Sequence, residues 1–152
     1  MAVYSFLNVQ ASLTGPGAEG INLGAGAAVA EEGITTEIPT DKNTATWGAD
    51  GALMHSLHAA RPGQISIKLL KTSPMNNVLQ AAYNTQSTSA ALWGQNIISI
   101  NDPVRGDKVQ ITEAAFVKQP GLAFAKEGNT NDWVFIGKIS QVLGASTPGL
   151  AV

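Results

Sequence analysis

Apolar and polar residues alternate along several short stretches of this chain, and a period of two is typical of β-strands with one buried face. The clearest stretch is 64–70, in which Ile65, Ile67 and Leu69 occupy alternate positions. The same pattern predicts further strands at 6–13, 34–38, 96–101, 108–117 and 132–140. The chain is therefore predicted to be mainly β.

The alternation also predicts which side chains of these strands point into a core. Glu113 interrupts the pattern in 108–117, but the residues on either side of it keep the same phase. The residues predicted to point inward are Leu7, Val9, Ala11 and Leu13 in the first strand, Val109, Ile111, Ala115 and Val117 in 108–117, and Trp133, Phe135 and Ile139 in the last strand.

One stretch departs from the period of two and predicts an α-helix at about 74–84. Ser73 is a favourable N-cap residue, and Pro74 suits the first helical position. Apolar residues then follow at helical spacing and form one stripe that should pack against the strands. The stripe consists of Met75, Val78, Leu79, Ala82 and Tyr83.

The segment 40–63 is polar, rich in glycine and less regular than its surroundings. Two short strands are predicted near 43–48 and 51–58, joined by a turn at 49–51. The segment carries three large apolar side chains, Trp47, Met54 and Leu57. Because an aromatic residue on a polar excursion is often an anchor for a partner, we interpret these residues as candidate contacts with neighbouring subunits. The alternative is that Trp47 belongs to the core.

A glycine motif at 15–20 (G-x-G-x-x-G) matches the dinucleotide-binding fingerprint by its letters. That chemistry needs a helix N-terminus directly after the glycines to hold a pyrophosphate. Ile21, Asn22 and Leu23 follow instead and do not begin a helix. The motif is therefore interpreted as a turn, and no cofactor is predicted.

Two further motifs resemble functional sites but favour simpler interpretations. His55 and His58 are three residues apart, so on a strand their rings point to opposite sides and cannot share a metal ion. The tripeptide 105–107 spells an adhesion motif, but its position after Asp102-Pro103 favours a polar turn. No catalytic residue and no metal site are predicted, and the chain is not expected to be an enzyme.

Composition narrows the class of protein further. Charged residues make up 13% of the chain, against about 25% in an average protein. A surface with few ions loses little hydration on burial, which favours extensive contacts with other chains. The net charge of −2 makes binding to nucleic acid through phosphates unfavourable, and the absence of cysteine excludes disulfides and thiolate metal sites. Neither a signal peptide nor a membrane-spanning segment is expected, so folding in a cytoplasm is predicted.

Five strings along the chain together resemble the tail tube proteins of contractile-tailed, myovirus-type bacteriophages. They are YSFLNVQASLTG (4–15), GALMHSLH (51–58), IKLLKTSP (67–74), LWG (92–94) and NDPVRGD (101–107). The resemblance runs through about residues 4–144. It implies two packed antiparallel sheets, sandwich-like or barrel-like, with one flanking α-helix. The chain is accordingly expected to be a single domain over 1–144, with an excursion at 40–63 and a flexible C-terminal tail at 145–152.

The resemblance also implies a structural virion protein. Its subunits would form hexameric rings that stack into the inner tail tube, and the tube would conduct the genome during ejection. The implied partners are other copies of the chain, the tail sheath, baseplate and tail terminator proteins, and the tape measure protein and DNA in the lumen, without specific binding. The implied location is the virion tail, after assembly in the host cytoplasm. The alternative is the tube of a DNA-less contractile particle, such as a bacteriocin or a type VI secretion-like system.

Overall fold

The computed structural model describes residues 4–24, 29–122 and 124–144. A 3₁₀ turn at Phe6–Asn8 precedes the first strand. The strands are β1 (Gln10–Gly15), β2 (Ala18–Asn22), β3 (Val29–Glu37), β4 (Asn43–Trp47), β5 (Leu53–Leu57), β6 (Pro62–Leu70), β7 (Asn96–Asp102), β8 (Asp107–Lys118) and β9 (Thr130–Val142). The helix α1 covers Met75–Gln86. The predicted tail at 145–152 lies outside the described residues.

The strands form two antiparallel sheets. Seven of them pair in the order β2-β1-β7-β8-β9-β6-β3, and β4 and β5 pair as a separate two-stranded hairpin. The prediction of a mainly β fold with two antiparallel sheets and one helix is confirmed. The large sheet is open within the part of the chain that is described, and β2 and β3 are its edges.

The core lies on one face of the seven-stranded sheet and beneath α1. Ile65, Ile67 and Leu69 are fully buried, as their alternation predicts. Strands from both halves of the sheet contribute to one cluster, which also includes Leu79 and Ala82 of α1. At its centre, Phe116 contacts four other aromatic rings, namely Tyr83, Trp93, Trp133 and Phe135.

The helix begins at Met75, one residue later than predicted, so that Pro74 and not Ser73 is its N-cap. The Oγ of Ser73 accepts a hydrogen bond from the backbone N–H of Met75 at 3.3 Å. The helix ends two residues later than expected, at Gln86. Its predicted stripe faces the core, because Leu79 and Ala82 are buried and the other three residues pack against the cluster. Asn76 adds a polar link to the sheet by accepting a hydrogen bond from the indole N–H of Trp133 at 3.0 Å.

A reciprocal pair of amides fastens the end of α1 to the sheet. Gln86 and Asn96 are both fully buried. Each donates from its side-chain nitrogen to the side-chain oxygen of the other at 2.8 Å, and Gln86 also donates to the backbone carbonyl of Pro16 at 3.0 Å. The pair lies directly against the backbone of Gly15, where a Cβ atom would collide with the Asn96 side chain. These contacts bring together the β1–β2 turn, the end of α1 and the start of β7.

Three predicted inward positions are wrong. Leu7 is 83% exposed because the 3₁₀ turn at Phe6–Asn8 takes it out of the alternation of β1. Val117 is 50% exposed, whereas Ala114 and Phe116 are buried. The inward set in the second half of β8 is therefore shifted by one residue, so that Ala115, which is only partly buried, also leaves the predicted face.

A β-bulge at Glu113 explains the shift in β8. Glu113 has φ of 52°, and the pairing of β8 with β9 changes register between Thr112 and Ala115. An extra residue in one strand turns every later side chain to the other face. Glu113 itself points to solvent and forms an ion pair with Lys138 at 2.8 Å.

The strained backbone at Glu113 leads to a test of this bulge. The left-handed region costs a residue other than glycine about 1–2 kcal/mol, and an exposed ion pair contributes about 0.2–1 kcal/mol. We expect Glu113→Gly to be at least as stable as Glu113→Gln, which removes only the charge. We expect Glu113→Val to be less stable than Glu113→Gln by about 1–2 kcal/mol, since branched side chains tolerate positive φ poorly. Urea unfolding measures all three, and the lowest stability for Glu113→Gly would contradict a strained bulge.

Candidate subunit interface

The β4–β5 hairpin presents almost all of its side chains to solvent. Its strands pair from Asn43 with Leu57 to Trp47 with Leu53, which confirms the two short strands predicted here. The turn is well defined. Gly51 has φ of 88°, its N–H donates to the carbonyl of Gly48 at 3.1 Å, and the carboxylate of Asp50 accepts from the N–H of Ala52 at 3.0 Å. No hairpin residue belongs to the core cluster. The shape of the hairpin is therefore set by the pairing of its two strands and by its turn.

The three candidate contact residues all lie on this hairpin and are exposed. Trp47 is 68% exposed, Met54 59% and Leu57 79%, so the alternative of a core position for Trp47 is wrong. The register places Trp47 and Leu57 on one face together with Leu53, and it places Met54 on the opposite face. Leu53 is an additional exposed apolar residue that the sequence analysis did not select. Its place directly opposite Trp47 could have been found only from the register.

Both histidines hold the hairpin together by hydrogen bonds to its first strand. The ring of His55 pairs with the side-chain amide of Asn43 at 3.1 Å, and the ring of His58 pairs with the hydroxyl of Thr44 at 2.7 Å. Within the described ranges, no group of three or more potential ligands could hold a metal ion. The observed contacts of the two rings are these hydrogen bonds between the paired strands of the hairpin.

The glycine motif at 15–20 forms the turn between β1 and β2, as interpreted from the sequence. Gly17 and Gly20 have positive φ, and a strand follows the motif instead of a helix. The tripeptide 105–107 belongs to the turn between β7 and β8. There Arg105 lies 3.9 Å from Asp107, and the Asp107 carboxylate also accepts from the N–H of Gly144 at 2.8 Å. Both motifs serve local structure.

The outward face of the large sheet carries a row of uncharged polar side chains. Pairing of β9, β8, β7, β1 and β2 places one exposed residue of each strand in line. The row consists of Ser140, Gln110, Ser99, Ser12 and Asn22. The row itself offers hydrogen bonds without charge, and two exposed lysines, Lys108 and Lys138, flank it on the same face. None of the described helices is long and apolar enough to cross a membrane.

The fold has counterparts among solved structures. A chain of the extended sheath–tube complex of PVC, an extracellular contractile injection system, has a TM-score of 0.56 at 10% identity, over 93% of this chain and 92% of that one. A chain of the extended PVC sheath/tube terminator structure also has a TM-score of 0.56 at 10% identity, over 93% and 98%. A chain of the anti-feeding prophage cap, a tube-terminating cap, has a TM-score of 0.55 at 11% identity, over 95% of each chain. At these identities the likeness concerns the fold alone.

The chain therefore shares the fold class of those chains, an antiparallel β fold with one helix, over nearly its full length. The family model described as bacteriophage PhiTE tail tube protein matches residues 1–144. The chain belongs to this tail tube family, which confirms the resemblance seen in the sequence. Comparison with curated protein sequences gave no match.

Proposed function

We propose that this protein builds the inner tube of a contractile phage tail from stacked hexameric rings. The observation that carries the proposal is the match of the tail tube family model to residues 1–144. In this role residues 1–144 act as one domain, the tube conducts the genome, and the protein has no catalytic activity. The tube is assembled in the host cytoplasm and forms part of the virion tail.

The two open edges of the large sheet support assembly into rings. β2 and β3 each pair with one neighbour only within the described chain, so each leaves backbone N–H and C=O groups along its other side. Such edges favour pairing with another chain, and ring closure removes them. Edge-to-edge pairing of six copies would join their sheets around a lumen.

The exposed hairpin supports contacts between subunits beyond the sheet edges. Trp47 and Leu57 offer an apolar surface on one face of the hairpin, and Met54 offers a smaller one on the other. Two-sided exposure suits a segment that lies between two neighbours. We propose these three residues as anchors in the assembled tube.

The uncharged polar row supports a conduit that does not hold DNA. Tight binding to nucleic acid depends on neutralising phosphates with cations. The row offers none, and of the two lysines that flank it Lys138 is paired with Glu113. We propose that this face is turned towards the lumen, where the tape measure protein and then DNA pass without specific binding. Sheath, baseplate and tail terminator proteins are the proposed partners at the outside and the ends of the tube.

The assembly state tests the proposal directly. Purified protein is expected to form rings or hollow tubes in negative-stain electron microscopy, with interfaces of about 2,000 Å² or more in total. Tubes should lengthen as protein concentration rises, because each ring creates the site for the next. A protein that stays monomeric over a wide concentration range would contradict the proposal.

The alternative role, in a DNA-less contractile particle, is supported by the likeness to the PVC and anti-feeding prophage chains. Both roles use the same tube. Particles purified with this chain in their tails distinguish them, since a phage carries DNA in a capsid and the alternative particle carries neither.

A further inference from the structure

A groove at the base of the hairpin is lined by apolar and cationic groups. It has a volume of about 390 Å³ and lies where the chain enters and leaves the hairpin. Ile38, Pro62 and Ile139 supply aliphatic surface, and Ile38 is exposed. Lys42 and Arg61 supply two positive charges, and no acidic residue lines the groove.

These two cations have no ion-pair partner among the described residues. The ion pairs found there join Arg105 to Asp107 and Lys138 to Glu113. The groove therefore combines apolar surface with two positive charges that form no ion pair among the described residues. A molecule that is complementary to this groove would place an apolar side chain on its aliphatic surface and a carboxylate next to Lys42 and Arg61.

The tip of the hairpin has this chemistry. Trp47 and Leu53 lie opposite each other on one face at the tip end of the ladder, and both are exposed. Asp50 lies in the turn between them and carries the one carboxylate of the segment 43–58. One of its oxygens caps the N–H of Ala52, which leaves the other oxygen for a partner.

A hairpin cannot place its tip in the groove at its own base. Five paired residues in each strand hold the tip about 15 Å from the base. The backbone bond from His58 N–H to the Lys42 carbonyl, at 2.9 Å, keeps the two strands together at the base end. The occupant must therefore come from another molecule.

We propose that the hairpin tip of one subunit, with Trp47, Leu53 and Asp50, docks in the base groove of a second copy, against Ile38, Lys42 and Arg61. The proposal rests on the proposed function, because it supplies a specific contact for tube assembly. Tip and groove are different surfaces, so the contact is head-to-tail and continues from one subunit to the next until a ring closes or a helix forms.

Reversal of charge tests the contact. Asp50→Lys, and separately Lys42→Glu with Arg61→Glu, are expected to reduce the yield of tubes at least tenfold, because like charges then meet in the groove. All three substitutions together should restore the yield to within about threefold of the original protein, since attraction returns with opposite sign. Asp50→Asn is the matched control for the turn, because it keeps an oxygen for the Ala52 N–H while removing the charge, and it should cause a smaller loss than Asp50→Lys.

A cross-link locates the contact independently of charge. The chain has no cysteine, so Ala49→Cys in the turn and Ala60→Cys in the groove introduce the only thiols. Oxidised tubes of this variant are expected to give a ladder of linked subunits on a non-reducing gel. Ala49→Cys with Ala81→Cys, on the exposed side of α1, should give none.

The outcomes separate this proposal from the proposed function. Absence of rings and tubes for the original protein contradicts tube assembly. If the original protein forms tubes and the charge reversals leave their yield unchanged, tip-to-groove docking is overturned. Docking is also overturned if the triple variant fails to recover or if tubes of the Ala49→Cys, Ala60→Cys variant give no ladder.

Discussion

Removal of the hairpin residues 44–58, with two glycines in their place, is expected to give a folded monomer that no longer forms tubes. None of the core cluster lies in this segment, so the free energy of unfolding should fall by less than about 1 kcal/mol, as for surface changes elsewhere. The assembled state, in contrast, loses the apolar surface of Trp47, Met54 and Leu57. Circular dichroism measures the fold, and sedimentation velocity with electron microscopy measures assembly.

A smaller change keeps the hairpin backbone and separates its side chains from its shape. Trp47→Ser with Leu57→Ser should also abolish tubes, because interface energy concentrates in a few large side chains. Asn77→Ser with Ala81→Ser, on the exposed side of α1, is the matched control and should assemble normally. An unfolded deletion variant would show that the hairpin belongs to the core, and tube formation by the deletion variant would show that assembly does not need it.

Loss of the buried amide pair is expected to have the largest effect on stability. Gln86→Leu removes the partners of the Asn96 amide and of the Pro16 carbonyl. A buried polar group that loses its partner costs about 1–3 kcal/mol. We therefore expect the free energy of unfolding to fall by about 2–6 kcal/mol, as the sum of two such groups. Urea unfolding should use the hairpin-deleted variant, because assembly raises apparent stability by mass action.

Gln80→Leu is the matched control on the same helix. Gln80 donates to Asn84 and to Gln119 in exposed hydrogen bonds, so its loss should change stability by less than about 0.5 kcal/mol. A double-mutant cycle with Asn96→Ala isolates the pair. The double variant should cost at least about 1 kcal/mol less than the sum of the single variants, since neighbouring residues are coupled. Full additivity would contradict a reciprocal amide pair.

The helix and most core strands could be predicted because their signals are local. The spacing of apolar residues after Ser73 and the alternation from Ile65 to Leu69 depend only on the periods of a helix and a strand. The prediction for β8 was wrong after Thr112 because the interruption of the pattern at Glu113 does not reveal that the backbone there is left-handed and adds a residue to the strand. The prediction that Leu7 points inward was wrong for a related reason, because the 3₁₀ turn before β1 ends the alternation.

The candidate interface could also be predicted only in part from the sequence. Trp47, Met54 and Leu57 could be selected from the sequence because they are large apolar residues in a polar segment. They are exposed because the hairpin lies outside the core cluster. The division of these residues between two faces, and the addition of Leu53, depend on the register of β4 with β5. The groove joins Ile38 and Arg61 to Ile139, which is distant in sequence, because β6 pairs with β9.

The sequence by itself determined the mainly β class, the helix, the lack of thiol chemistry and the resemblance to tail tube proteins, because composition, periodicity and short strings can be read along the chain. Only the tertiary structure decided the strand order, the shift of register at Glu113, the Gln86–Asn96 pair and the groove. Each of these depends on contacts between separate elements of the chain, and the pattern of apolar residues in one strand does not specify which element packs beside it.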